Sequence, residues 1–135
     1  MRDFTYKNYI TLEDIKTETG YNLLKDGRLE VGDFNSTQEA ADNFMQDQFE
    51  EVKNLIASKM GTIWTKNFLQ DILTDAATEP IVEEMAMAFK NALKEHIVYR
   101  FEVGDPVAVG DSNTPRYSER MIEILVRNRI LPRGV

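Results

Sequence analysis

His96 is the only histidine in the chain, and there is no cysteine. Any chemistry that needs an imidazole must therefore be built around one position. A Ser–His–Asp arrangement wants its serine displayed on a sharp strand-to-helix turn, and no G-x-S-x-G occurs in the sequence. His96 lies beside Ile97 on a segment with helical apolar spacing, so the expectation is a structural histidine at the boundary of an apolar stripe. The lack of cysteine excludes disulfides, thiolate–zinc sites and a cysteine nucleophile, and it suits a reducing cytoplasm.

The carboxylates are equally unpromising as chemistry. Asp33, Asn35 and Thr37 have the odd-position spacing that opens a calcium loop. Position six is Gln38 instead of glycine, however, and position twelve is Phe44 instead of a bidentate glutamate. A di-iron site takes a Glu-x-x-His pair from each of two helices, which one histidine cannot supply. Glu79, Glu83 and Glu84 sit where acids offset the dipole of an opening helix. An enzyme working with carboxylates alone, such as Glu83 or Glu84 with Asp105, would need them buried as a pair. There is no G-x-G-x-x-G and no G-x-x-x-x-G-K-[ST] to cradle phosphate. Trp64, Met85 and Met87 read as core packing. The expectation is a protein without catalytic residues, cofactor or metal, one that works by binding other proteins.

Charge narrows the partners. The overall balance is −7, whereas residues 112–135 hold five arginines against two glutamates, which leaves −10 for residues 1–111. An acidic body argues against general nucleic-acid binding, because phosphate contacts need a basic surface. Arg116, Arg120, Arg127, Arg129 and Arg133 instead invite contact with acidic protein surface, a second copy included. The segment MRDFTYKNYI lacks the continuous apolar run of a signal peptide. No stretch approaches the roughly 18 apolar residues of a membrane span, so no membrane partner is expected.

The elements that must position these residues read as helices. The 135 residues, 42% of them hydrophobic, suit one domain with its own core. Phe4, Tyr6, Tyr9 and Ile10, in near alternation, suggest that residues 1–10 form an extended arm or short strand. Thr11 and Asp14 resemble a capping box that starts a short helix, and Gly20 ends it; Leu12 and Ile15 face inward, with Tyr21, Leu23 and Leu24 after the turn. Asp26-Gly27 and Gly32-Asp33 allow a short β-hairpin near residues 25–35. Ser36 and Glu39 open a helix that Gly61 closes. Ala41, Phe44, Met45, Phe49, Val52, Leu55, Ile56 and Met60 form its stripe. A third helix covers about 63–76, with Ile63, Trp64, Phe68, Leu69, Ile72 and Leu73 as its apolar positions. Pro80 opens a fourth, to about residue 102. Thr114 and Pro115 start a last one with Tyr117, Met121, Ile124 and Leu125 on one face. The fold expected is mainly α, a bundle of about four to five helices. Residues 126–135 form a tail in which Ile130 and Leu131 offer spare apolar surface for a contact between subunits.

This order of elements resembles the tailed-phage head–tail connector family, also called adaptor or head-completion proteins. The likeness is carried by the opening "ITLEDIK" at residues 10–16 and the long helix over 37–60. After these come "EPIVEEMAMAFKNALKEHIVYRF" at 79–101 and "YSERMIEILVRNRILPRGV" at 117–135. The resemblance implies a structural subunit of the virion neck, made in the host cytoplasm, that forms a ring on the portal protein and links capsid to tail. It implies a dodecamer once assembled, with neighbours among the tail and neck proteins and with DNA passing through unbound. Ile130, Leu131, Arg133 and Val135, with Arg127 and Arg129, would dock on the portal, and the 104–114 loop would face a neighbour. Removing residues 126–135 would then leave the helical fold intact and stop incorporation. The alternative is a small helical adaptor or regulator of one cellular protein, distinguished by a one-to-one complex instead of a ring.

Overall fold

The computed structural model describes residues 4–20, 22–23, 35–75, 78–103 and 114–132, with backbone alone at 75, 102–103 and 114–120. A 3₁₀ turn at Tyr6–Asn8 leads into five helices: α1 (Leu12–Thr19), α2 (Thr37–Met60), α3 (Thr62–Asp75), α4 (Pro80–Val103) and α5 (Thr114–Arg127). The chain is therefore a small helical bundle, with no strand among the described residues.

Local signals set the helix ends. Thr11 Oγ1 accepts from the Asp14 backbone at 3.0 Å, and the Asp14 carboxylate accepts from the Thr11 backbone at 2.9 Å. This is the reciprocal capping box that satisfies two orphan donors. Gly20 stops α1 at φ 83°, where a side chain would be strained. Ser36 caps α2 through the Glu39 backbone at 3.2 Å, but the Glu39 carboxylate reaches Asn35 instead of closing the box on Ser36. Pro80 occupies the first turn of α4, where its missing N–H costs nothing.

α2 packs against both α3 and α4, and α4 also carries α5. At the centre Tyr9 stacks on Phe49 at 5.4 Å and meets Phe89 edge-on at 5.3 Å, while Phe68 meets Phe89 edge-on at 5.6 Å. The α2 stripe is as spacing predicts: Ala41, Met45, Phe49, Val52 and Ile56 are buried, and Phe44, Leu55 and Met60 pack partly buried at its margins. Outside the core, Lys90 and Lys94 of α4 reach Asp14 and Glu18 of α1, at 3.2 and 3.1 Å.

Several expectations need correction. Residues 4–10 form neither an extended arm nor a strand. Thr5 caps a 3₁₀ turn, and Phe4, Tyr6, Tyr9 and Ile10 all enter the core. The turn is held because Gln46, buried on α2, accepts from the Tyr6 N–H at 2.9 Å, while Tyr6 Oη donates to Asp42. Ile63 and Trp64 are not core residues, being 78% and 38% exposed. They precede the turn of α3 that meets the bundle through Thr65, Phe68, Leu69 and Ile72. Met87 is 57% exposed, on the side of α4 away from Phe89 and Leu93. The hairpin proposed near 25–35, Tyr21, Leu24 and nearly all of the 104–114 loop lie outside the described residues.

Candidate partner-binding groove

The end of α5 is built by a non-glycine residue in a glycine's conformation. Ile130 N–H donates to Leu125 O at 2.8 Å and Arg129 N–H to Val126 O at 3.0 Å. That pair of bonds is a Schellman closure, with Arg129 as the left-handed residue at φ 64°. Ile130 and Leu125, the two residues whose contact normally accompanies the motif, are both buried. Asn128 donates from Nδ2 to Ile124 O at 2.9 Å and to Glu95 of α4. Arg127 pairs with the same Glu95 and with Glu123. The chain after α5 is thereby hooked back onto α4.

Between this hook and the first three turns of α4 lies an open groove of about 720 Å³. Phe68, Met85, Ala88 and Ile130 supply apolar walls, with the exposed Ile81 and Met87 along it. Glu83 and Glu84 line it from the start of α4, and Arg127 and Arg129 from the hook. Arg129 is exposed, and no hydrogen bond or ion pair holds its guanidinium among the described residues. Glu83 and Glu84 are exposed as well, so neither belongs to the buried pair that an enzyme working with carboxylates alone would need.

The structure sorts the expected partner-binding residues. Arg127, Arg129 and Ile130 come together at the groove. Leu131 does not, since it is 2% exposed in the core. Ile130 shows the groove only an edge, at 6% exposure. The expectation that these two form spare apolar surface is therefore corrected: the Schellman turn folds them inward. Arg116 and Arg120 lie on α5, described there by backbone alone, and Arg133 and Val135 lie outside the described residues.

A second polar cluster lies between α2 and α4. His96 is fully buried. Its Nε2 is 3.0 Å from Glu51 Oε2, Arg100 Nη2 is 3.4 Å from Glu51 Oε1, and Arg100 Nε donates to Gln48 at 3.1 Å. Burial lowers the proton affinity of His96; Glu51 opposes that and Arg100 reinforces it. The expected boundary histidine thus proves fully interior. Gln46, Gln48 and Glu95 were missed by sequence reasoning, and no periodic signal marks them. Only the four-residue spacing of Glu123 and Arg127 could have pointed to the hook.

Among the described residues no cluster of histidine and carboxylate groups could hold a metal ion, and no described helix is long and apolar enough to cross a membrane. No family model matches the chain, nor does any curated protein or solved structure.

Proposed function

We propose that this protein is a structural assembly subunit, a head–tail connector that forms a ring on a portal and links capsid to tail. The observation that carries the reading is the groove between α4 and the hook. It combines exposed apolar side chains, Ile81 and Met87, with an exposed arginine at its rim. Apolar surface rimmed by charge is what a protein partner seats on. The order of the helices supports the narrower, viral form of the reading. The −7 charge suits a neck through which DNA passes without adhering, because like charges repel.

The test is peptide mass spectrometry on DNA-filled capsids, purified after prophage induction in the organism that encodes the chain. The tryptic peptide over residues 121–127 is the reporter. Its recovery at tens of copies per particle, far below the capsid protein, is the expected result. Its absence from intact virions overturns the connector reading and leaves a helical adaptor with a single cellular partner.

A further inference from the structure

The joint between α1 and α4 is made largely of charge. α1 spans eight residues, Leu12–Thr19, fewer than a helix needs to hold itself in water. Ile15 is its one buried side chain, with Leu12 partly buried against the core. Three ion pairs tie it to α4. Lys90 Nζ lies 3.2 Å from Asp14 and 3.7 Å from Glu18, and Lys94 Nζ lies 3.1 Å from Glu18. These four side chains are between 23% and 36% exposed, so dissolved salt reaches them. Asp14 uses both its oxygens: Oδ2 accepts from the Thr11 N–H and Oδ1 faces Lys90. The start of α1 and its tether therefore share one carboxylate. Ile10 before α1 and Leu23 after it are buried, so the helix is a short bridge pinned on either side.

We propose that α1 is a strap whose closure is set by ionic strength, opening while α2, α3 and α4 stay folded. Partly exposed ion pairs contribute little one by one. For a helix with a single buried anchor, three of them are a large share of what holds it closed. Salt weakens that share, because the screening length falls to about 3 Å at 1 M, no longer than the gaps between these charges. α2 is different: it buries a whole stripe, from Ala41 to Ile56, and burial of that kind is not screened. Short elements with few buried contacts are the ones that open locally. Lifting α1 withdraws Ile15 from the core and takes the carboxylates away from Lys90 and Lys94. A neutralised stretch of α4 then becomes an exposed basic one. Counterions, or any acidic group that reaches the two lysines, compete with α1 for the same seat. Neither the groove nor a ring is needed for this to happen.

Hydrogen–deuterium exchange of the whole chain, in low salt and in about 1 M sodium chloride, tests the strap. Peptides covering α1 are expected to exchange roughly tenfold faster in high salt. Peptides from the middle of α2 and from α4 around Phe89 and Leu93 should not change, which separates local opening from loss of the fold. Lys90→Met with Lys94→Met removes both charges and keeps unbranched apolar stems. In that variant α1 should exchange at the fast rate in low salt as well, and should no longer respond to salt. Glu18→Gln, at an exposed position that makes two of the three pairs, gives the same readout if the double variant does not fold by circular dichroism. Exchange of α1 no faster than that of α2 at both salt concentrations overturns the proposal. So does a variant that has lost these pairs and keeps the parental salt response.

Discussion

His96 and Glu51 meet at 3.0 Å across the α2–α4 interface, the histidine wholly buried and the glutamate one-third exposed. An ionised carboxylate only accepts, so Nε2 is the nitrogen that carries the hydrogen. The native state lowers the proton affinity of His96 below its usual 6.5, chiefly by burial. The unfolded chain therefore binds that proton more readily than the folded one. Stability from this site is complete above about pH 6.5 and declines as the pH falls. Denaturant unfolding at pH 8 and pH 5 should show the loss, and His96→Gln should show a smaller one. An identical decline in both proteins would mean that His96 does not set the pH dependence.

Gln46 does for the N-terminal turn what Glu51 does for α4. Its side chain accepts from the Tyr6 N–H and donates to the Phe4 carbonyl and to Glu50. Gln46→Ala leaves a buried N–H without an acceptor, a loss of about 1–3 kcal/mol. Limited proteolysis should then cut within residues 1–10 before it cuts elsewhere, because Phe4 and Tyr6 lose their anchor. Gln46→Glu keeps the acceptor and should recover part of the protection.

The long-range polar contacts are where sequence reasoning ends. Thr11 with Asp14, Gly20, Ser36, Gly61 and Pro80 mark helix ends through interactions spanning four residues or fewer, and the structure places the ends there. The α2 stripe was legible for the same reason, since a buried face repeats with the helix. Gln46 and Gln48 sit among polar residues on α2, and only contacts some 40 to 50 residues away make them interior. Trp64 and Met87 have the composition of core residues, but the bundle reaches only one side of α3 and leaves the outer side of the first turns of α4 open. The groove was half legible: the arginines stood out, whereas the turn that presents them uses Arg129 where a reader looks for glycine.

Burial of the hook changes what a truncation can test. Ile130 and Leu131 pack in the core at 6% and 2% exposure, so removing residues 126–135 strips apolar contacts from α4 and α5 together. Leu131→Ala alone should cost about 2–5 kcal/mol, read as a shift in the denaturant midpoint. A truncated chain that fails to join a particle would then report misfolding as readily as a lost contact. An unchanged midpoint for Leu131→Ala would instead return these residues to the role of a free tail.

Point substitution at Arg129 separates folding from binding, because the two should move in opposite directions. Glycine adopts φ 64° without the side-chain clash that arginine meets. Arg129→Gly should therefore stabilise the monomer by about 0.5–1 kcal/mol, part of it offset by the greater freedom of glycine in the unfolded chain. The same change removes the exposed cation from the groove and should weaken association. Arg129→Asn is the useful control, since asparagine tolerates the left-handed region and carries no charge. Thermal unfolding and incorporation into purified particles, measured for the same variants, give both readouts. A variant that is more stable and still assembles at the parental level would show that the strained arginine contributes to neither.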